Sequence, residues 1–244
     1  MTRPVACLRV FQDGAASGAK NMDRDASLLA GHRPGDDPVL RLYRWRPAAV
    51  TIGYNQDFSA FDAAAIKAAG YDLVRRPTGG RAILHADELT YAVIGSSPGP
   101  VFGATLHDTY MKINQALLAF LADLGIAADI SSGESRDQAR GLVCFQSAGR
   151  HEVSVGGRKI IGSAQRRTGG VFLQHGSILA GPRHLELPSF LGSDGEGEAA
   201  KLAAATTDLG RLLGVPQTGS DLDDLAVRLA AAFSRVLELE IRPA

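Results

Sequence analysis

Two cysteines stand in this chain, Cys7 and Cys144. Cys144 lies in Leu142-Val143-Cys144-Phe145, just after a polar stretch that ends at Arg140. From Arg136 to Arg167 seven lysines and arginines face two acids, Asp137 and Glu152. A positive neighbourhood lowers a thiol pKa and favours the nucleophilic thiolate. An apolar flank by itself also fits an inert core cysteine. The local sequence leaves both readings open.

Lys159 is the second reactive group. It stands in Gly157-Arg158-Lys159-Ile160-Ile161-Gly162-Ser163-Ala164, on a stretch with strand character. Gly162, Ser163 and Ala164 are small and leave room for an extended substrate. A lysine supplies a compact positive charge that can meet a phosphate or a developing oxyanion. The ordinary alternative is an exposed lysine on a hairpin.

The third feature is Arg75-Arg76-Pro77-Thr78-Gly79-Gly80-Arg81, followed by Ala82-Ile83-Leu84-His85. Two glycines let a ligand approach the backbone closely. Their N–H groups can cradle a phosphate or a carbonyl. The same pattern describes a tight turn with solvated arginines. His85 reads equally well as a site residue and as a hydrogen-bonded strand histidine, and His175 as structural.

The elements that must carry these groups follow from periodicity. Residues 5–12 read as a strand and 14–31 as a helix around Met22, Leu28 and Leu29. Extended stretches follow at 40–45 and 49–54, with Pro47 marking a turn. Ala60–Ala69 reads as a helix stopped by Gly70. Residues 72–95 read as strand, glycine turn and strand. Leu106, Tyr110, Ile113, Leu117, Leu121 and Leu124 recur at helical spacing before Gly125. Residues 131–140 read as a polar loop, and 143–180 as hairpins turning at Gly156-Gly157 and Gly169-Gly170. The tail from His184 reads as helical, with 193–198 as a linker. Its last helix is expected to start at Ser220, with Asp223 three residues on and a stripe of Leu222, Leu225, Leu229 and Phe233. Leu239 and Ile241 suggest a final strand. The fold class is α+β: a mixed β-sheet with flanking helices, as one domain over 1–244, with a core over 1–185 and a helical extension over 186–244.

Bulk properties narrow the function. Hydrophobic residues make up 45% of the chain and charged residues 21%, so a sizeable core is available. Twenty-six basic residues balance 26 acidic ones. Net charge therefore argues for neither nucleic acid nor a membrane surface as partner. No apolar run approaches the roughly 20 residues of a transmembrane helix, and Met1–Val10 lacks a signal-peptide pattern. The expected location is the cytoplasm. Neither CxxC nor HExxH occurs, and no metal site is expected.

Taken together, RRPTGGRAILHADELTY, CF, GRKIIGSAQRR and GVFLQHGSIL resemble the biotin/lipoate protein ligase–transferase superfamily in order and spacing. Trp45, Pro47, Thr51 and Gly53-Tyr54-Asn55-Gln56 extend the resemblance upstream, so that it covers about residues 20–180. Many ATP-dependent members carry three glycines in the turn. TGGRA, with Cys144 upstream of the Lys159 motif, is similar to the cysteine-dependent octanoyltransferases. The resemblance implies the catalytic-domain fold of that superfamily. It implies transfer of an octanoyl group from acyl carrier protein to a lysine of a lipoyl domain, in the glycine-cleavage H protein or the E2 chains of 2-oxoacid dehydrogenases. Cys144 would carry the acyl thioester, and Lys159 would lower its pKa or hold the oxyanion. Arg76, Thr78, Gly79, Gly80, His85, Gly162, Ser163 and Ala164 would line the substrate site. An apolar tunnel is expected near Ile83, Leu84 and Ile160. No cofactor is implied. The alternatives are a lipoate–protein ligase using ATP and Mg, and an amidotransferase moving octanoate between lipoyl domains.

Overall fold

The computed structural model describes residues 7–131, 151–191 and 195–244. Cys144, residues 132–140 of the polar loop expected at 131–140, and residues 143–150 of the expected hairpin stretch lie outside these residues.

The chain opens with β1 (Cys7–Ala16). Ser17 then caps α1 (Gly18–Gly31) by accepting from the Lys20 N–H. The helix starts later than its composition suggests because Gly14, Ala15 and Ala16 stay in β1, opposite Tyr43, Arg44 and Trp45. A register shift between Gln12 and Gly14, with Gly14 at φ +66, lets β1 run on.

β2 (Val39–Trp45) and β3 (Ala49–Ile52) flank the Pro47 turn. Asp62 caps α2 (Ala63–Ala68), and Gly70 at φ +76 ends that unit. β4 (Asp72–Arg75), β5 (Ile83–His85) and β6 (Glu88–Ser96) follow. The expected strand–turn–strand is therefore three strands in two sheets. β4 and β5 never pair with each other. They take the two edges of β3 in a small sheet ordered β4-β3-β5, while β6 joins the large sheet. Periodicity reports a strand's faces, and the choice of edge partner lies beyond it.

α3 (Leu106–Asp123) begins with a reciprocal cap between Thr105 and Asp108. Ile113, Leu117, Phe120 and Leu121 form its buried face, whereas Leu106, in its first turn, is 49% exposed. β7 (Asp129–Ile130), β8 (Val153–Val155), β9 (Arg158–Thr168) and β10 (Val171–Leu179) complete the meander. Both glycine pairs, 156–157 and 169–170, have positive φ at each residue, as two-residue hairpin turns demand.

A 3₁₀ segment (Pro182–Phe190) leads to α4 (Gly195–Ala205), α5 (Leu209–Leu213), α6 (Gly219–Leu237) and β11 (Glu240–Pro243). Of the linker expected at 193–198, residues 195–198 are helical and 193–194 lie outside the described residues. The α6 cap is Thr218 with Asp221 rather than Ser220 with Asp223: the Asp221 carboxylate accepts from the Thr218 N–H at 2.7 Å. The expected stripe is buried.

The large sheet runs β11-β1-β2-β6-β10-β9-β8-β7. Its outer strand β11 and β2 pair with β1 in parallel, and the other ladders are antiparallel. α3 and α6 cover one face through Ile113, Leu117, Phe120, Leu225, Leu229 and Phe233. On the other face α1 packs Met22 and Leu29 against Val39, Tyr43, Ala92 and Ile94. The small sheet has its own core of Val50, Ile52, Ile66, Leu84, Leu187 and Leu202. The site lies between α1, the large sheet and the small sheet.

Candidate active site

A cavity of about 240 Å³ opens where these three units meet. Ligand pockets for drug-sized molecules span roughly 300–1,000 Å³, so this one suits a small or narrow ligand. Its apolar wall is Met22, Tyr43, Trp45 and Ile83. Its polar wall includes Arg76, His85, Thr90, Glu152, Ser163, His175 and Ser177.

Strand register brings much of this wall together. β9 and β10 pair Gly162 with Ser177, Ser163 with Gly176 and Ala164 with His175. All six line the cavity. Gly176 has no room for a side chain. A Cβ there would meet the Gly162 carbonyl oxygen and the Tyr91 ring at 2.6 Å. Tyr91 and Ser163 are joined through their hydroxyls at 2.7 Å, and burial pushes the Tyr91 phenol up to about 12.

The double-glycine turn is held from behind. The Arg76 guanidinium donates to the Gly79 carbonyl at 2.8 Å, the Arg81 carbonyl at 2.7 Å and the Thr51 hydroxyl at 3.1 Å. Arg76 thus lines the cavity while spending these bonds on the turn. Because trans peptide groups point N–H and C=O in opposite directions, anchoring the Gly79 carbonyl aims the Gly80 N–H away from Arg76. Gly80 sits at φ +93, a backbone state that favours glycine. Its carbonyl passes Gly53 so closely that a Cβ there would lie 1.9 Å from it. That contact explains the glycine of Gly53-Tyr54-Asn55-Gln56. Arg75, the next arginine, is also committed: it donates to the carbonyls of Gly53, Tyr54 and Gln56 at 2.7–3.0 Å.

Two threonine–histidine–carboxylate lines meet the cavity. In the first, the Trp45 ring stacks on His85 at 4.1 Å. His85 Nδ1–H donates to Glu88 at 2.8 Å, and Nε2 lies 2.8 Å from the Thr51 hydroxyl. Thr90 and Ser177 donate to the same Glu88 oxygen at 2.5 and 3.0 Å. In the second, His175 Nδ1–H donates to Asp25 at 2.9 Å, and Nε2 lies 2.7 Å from the Thr78 hydroxyl. Asp25 also takes bonds from Arg41 at 2.7 Å and Tyr43 at 2.9 Å. Burial alone would raise the Asp25 carboxyl; the bonds from His175 and Arg41 outweigh it and hold the group below its ordinary value. Burial pushes His175 below the ordinary histidine value, against the pull of Asp25.

Lys159 is buried on β9, and its ammonium forms an ion pair with Glu152. Lys159 does not itself line the cavity; its partner Glu152 does. Of the expected binding residues, Arg76, Gly80, His85, Gly162, Ser163 and Ala164 line one cavity. Thr78 and Gly79 stand behind it. Leu84 and Ile160, expected at a tunnel wall, are instead packed in the two hydrophobic cores. Among the described residues no cluster of His, Cys, Asp and Glu could hold a metal ion.

Sequence reasoning missed Glu152 and Asp25, and did not place His175 at the cavity. Signals existed for two of them. The Gly156-Gly157 turn folds Glu152 back toward Lys159. Asp25 shares the inner face of α1 with Met22 and Leu29, where an acid requires a buried partner.

The sequence and the fold match a known family. The model of the lipoyl protein ligase A/B catalytic domain matches residues 17–234, and the chain belongs to that family. It is 40% identical over 252 residues to Octanoyltransferase LipM of Symbiobacterium thermophilum, covering 96% of this chain and 88% of the relative. Octanoyltransferase LipM of Bacillus subtilis is 41% identical over 179 residues, covering 70% of this chain and 64% of the relative. Among solved structures, a lipoate-protein ligase A bound with ATP superposes with a TM-score of 0.76 at 23% identity, covering 98% of this chain and 88% of that one. A bi-partite lipoate protein ligase from Thermoplasma acidophilum gives 0.75 at 22% identity, covering 99% and 87%. These structures share the fold.

Proposed function

We propose that this chain is an octanoyltransferase of protein lipoylation, working through a thioester on Cys144. The 40% identity to an octanoyltransferase along 96% of the chain carries the reading. The donor is octanoyl–acyl carrier protein. The acceptor is a lysine of a lipoyl domain, such as that of the glycine-cleavage H protein or an E2 chain.

The Cys144 thiolate attacks the donor carbonyl carbon, and the carrier thiolate leaves. The neutral acceptor amine then attacks the new thioester. A C–N bond forms, the C–S bond breaks, and the amine proton ends on the departing thiolate or in solvent. Thioester exchange is nearly isoenergetic and amide formation is downhill, so neither ATP nor Mg is needed. Lys159 supplies positive charge to the thiolate or the oxyanion, and Glu152 fixes where that charge sits. The Gly80 N–H faces the acyl carbonyl. Met22, Tyr43, Trp45 and Ile83 receive the chain, with Gly162, Ser163 and Ala164 leaving it room. Burying about seven carbons at roughly 0.8 kcal/mol each gives on the order of 5 kcal/mol. Among the described residues no helix is long and apolar enough to cross a membrane, which fits carriers met in solution.

The test supplies a lipoyl domain with each donor in turn. Octanoylation from octanoyl–acyl carrier protein without ATP is the expected result. Product only from free acid with ATP and Mg would make the chain a ligase. Product only from an octanoylated lipoyl domain would make it an amidotransferase.

A further inference from the structure

Asp25 needs an explanation that packing alone does not supply. It is fully buried on α1, and a lone buried carboxylate is costly. Three donors converge on it, from Arg41, Tyr43 and His175. Arg41 is itself fixed by Asp13 at 2.6 Å and by the Asn21 side chain at 2.8 Å. Asp25 therefore presents one rigid acceptor to His175 Nδ1. That choice fixes the tautomer: the proton sits on Nδ1, and Nε2 keeps its lone pair. The Thr78 hydroxyl then donates to Nε2 at 2.7 Å. The Thr78 carbonyl accepts from the Tyr54 N–H at 2.9 Å, so this residue is pinned at two points. Gly79 and Gly80 follow directly.

We propose that Asp25 and His175 are a positioning pair that sets the direction of the Thr78 hydrogen bond and thereby holds Thr78 and Gly79 in the shape that sets Gly80 in the cavity wall. Both ring nitrogens of His175 are committed, so the ring acts through Thr78 and not on reacting atoms. The charged and titratable groups facing it are Asp25 from α1, Arg76 from the turn and His85 from β5. Arg41 and Tyr43 of β2 reach it through Asp25. Arg76 and His85 oppose a second proton on the ring, as does burial. Protonation would reverse the bond, with Nε2–H donating to Thr78.

The kinetic part of the test rests on octanoyl transfer; the spectroscopic part does not. In the folded enzyme, Thr78→Val keeps the shape of the side chain and removes its hydroxyl. It is expected to lower kcat about 10- to 100-fold, with KM and thermal midpoint close to wild type, while Thr78→Ser restores most of the rate. Nitrogen NMR of the His175 ring should show the proton on Nδ1 at neutral pH. Asp25→Asn cannot enforce one tautomer, so Nε2–H signal should appear and kcat should fall with it. A Thr78→Val enzyme with full kcat, or a wild-type ring protonated on Nε2 alone, would overturn the proposal. If the wild type transfers no octanoate, the functional reading fails, and the ring spectrum decides this one alone.

Discussion

The pairing of Glu152 with Lys159 separates two roles that a buried lysine can have. An ion pair taken out of water is stabilising only if geometry and added hydrogen bonds offset the desolvation of both charges. Removing one partner takes this compensation from the other, at a cost of up to about 3–5 kcal/mol. Glu152→Gln and Lys159→Met should each lower the thermal midpoint. The double variant should lose less than the sum, because the coupling between the two charges is then lost only once. Octanoyl transfer should stay depressed in the double variant, since stability returns without the positive charge. Unfolding curves and turnover on the same four proteins check this. Wild-type turnover in the double variant would reduce the pair to a structural role.

The Arg76–Ala82 turn depends on contacts between segments more than on its own sequence. Gly53, at the end of β3, leaves space for the Gly80 carbonyl. Gly53→Ala must displace that carbonyl, so octanoyl transfer should fall at least tenfold, about the cost of an ångström-scale misplacement. Thr105→Ala, at the exposed start of α3, is the control. It removes one cap and should cost about 1 kcal/mol with kcat unchanged. These two substitutions also mark what the sequence can show. Thr105 is legible because a cap is local, as is the apolar stripe of α6. The glycine pairs at 156–157 and 169–170 likewise announce their hairpins. The crossing of Gly53 and Gly80 is not legible, because it joins the loop after β3 to the turn between β4 and β5. The split of residues 72–95 between two sheets escapes for the same reason. The partners of His175, Asp25 and Thr78, are 150 and 97 residues away in sequence, out of reach of any local pattern.

Three histidines couple the whole molecule to pH. Burial pushes His32, His175 and His184 below the ordinary value of 6.5. Each binds fewer protons folded than unfolded once the pH drops below 6.5, so folding loses stability as pH falls. The thermal midpoint should therefore decline from pH 7 to pH 5. Asp25, Asp108 and Asp221, all held below 3.8, add a further loss only near and below that value. A midpoint that stays level or rises between pH 7 and 5 would contradict this. The proposed chemistry turns on Cys144. Its most direct test is intact-protein mass spectrometry of the enzyme mixed with octanoyl–acyl carrier protein, without ATP and without acceptor. One octanoyl adduct, labile to hydroxylamine and absent from Cys144→Ser, is the expected result. No adduct, with transfer to a lipoyl domain appearing only when free octanoate and ATP are supplied, would contradict it.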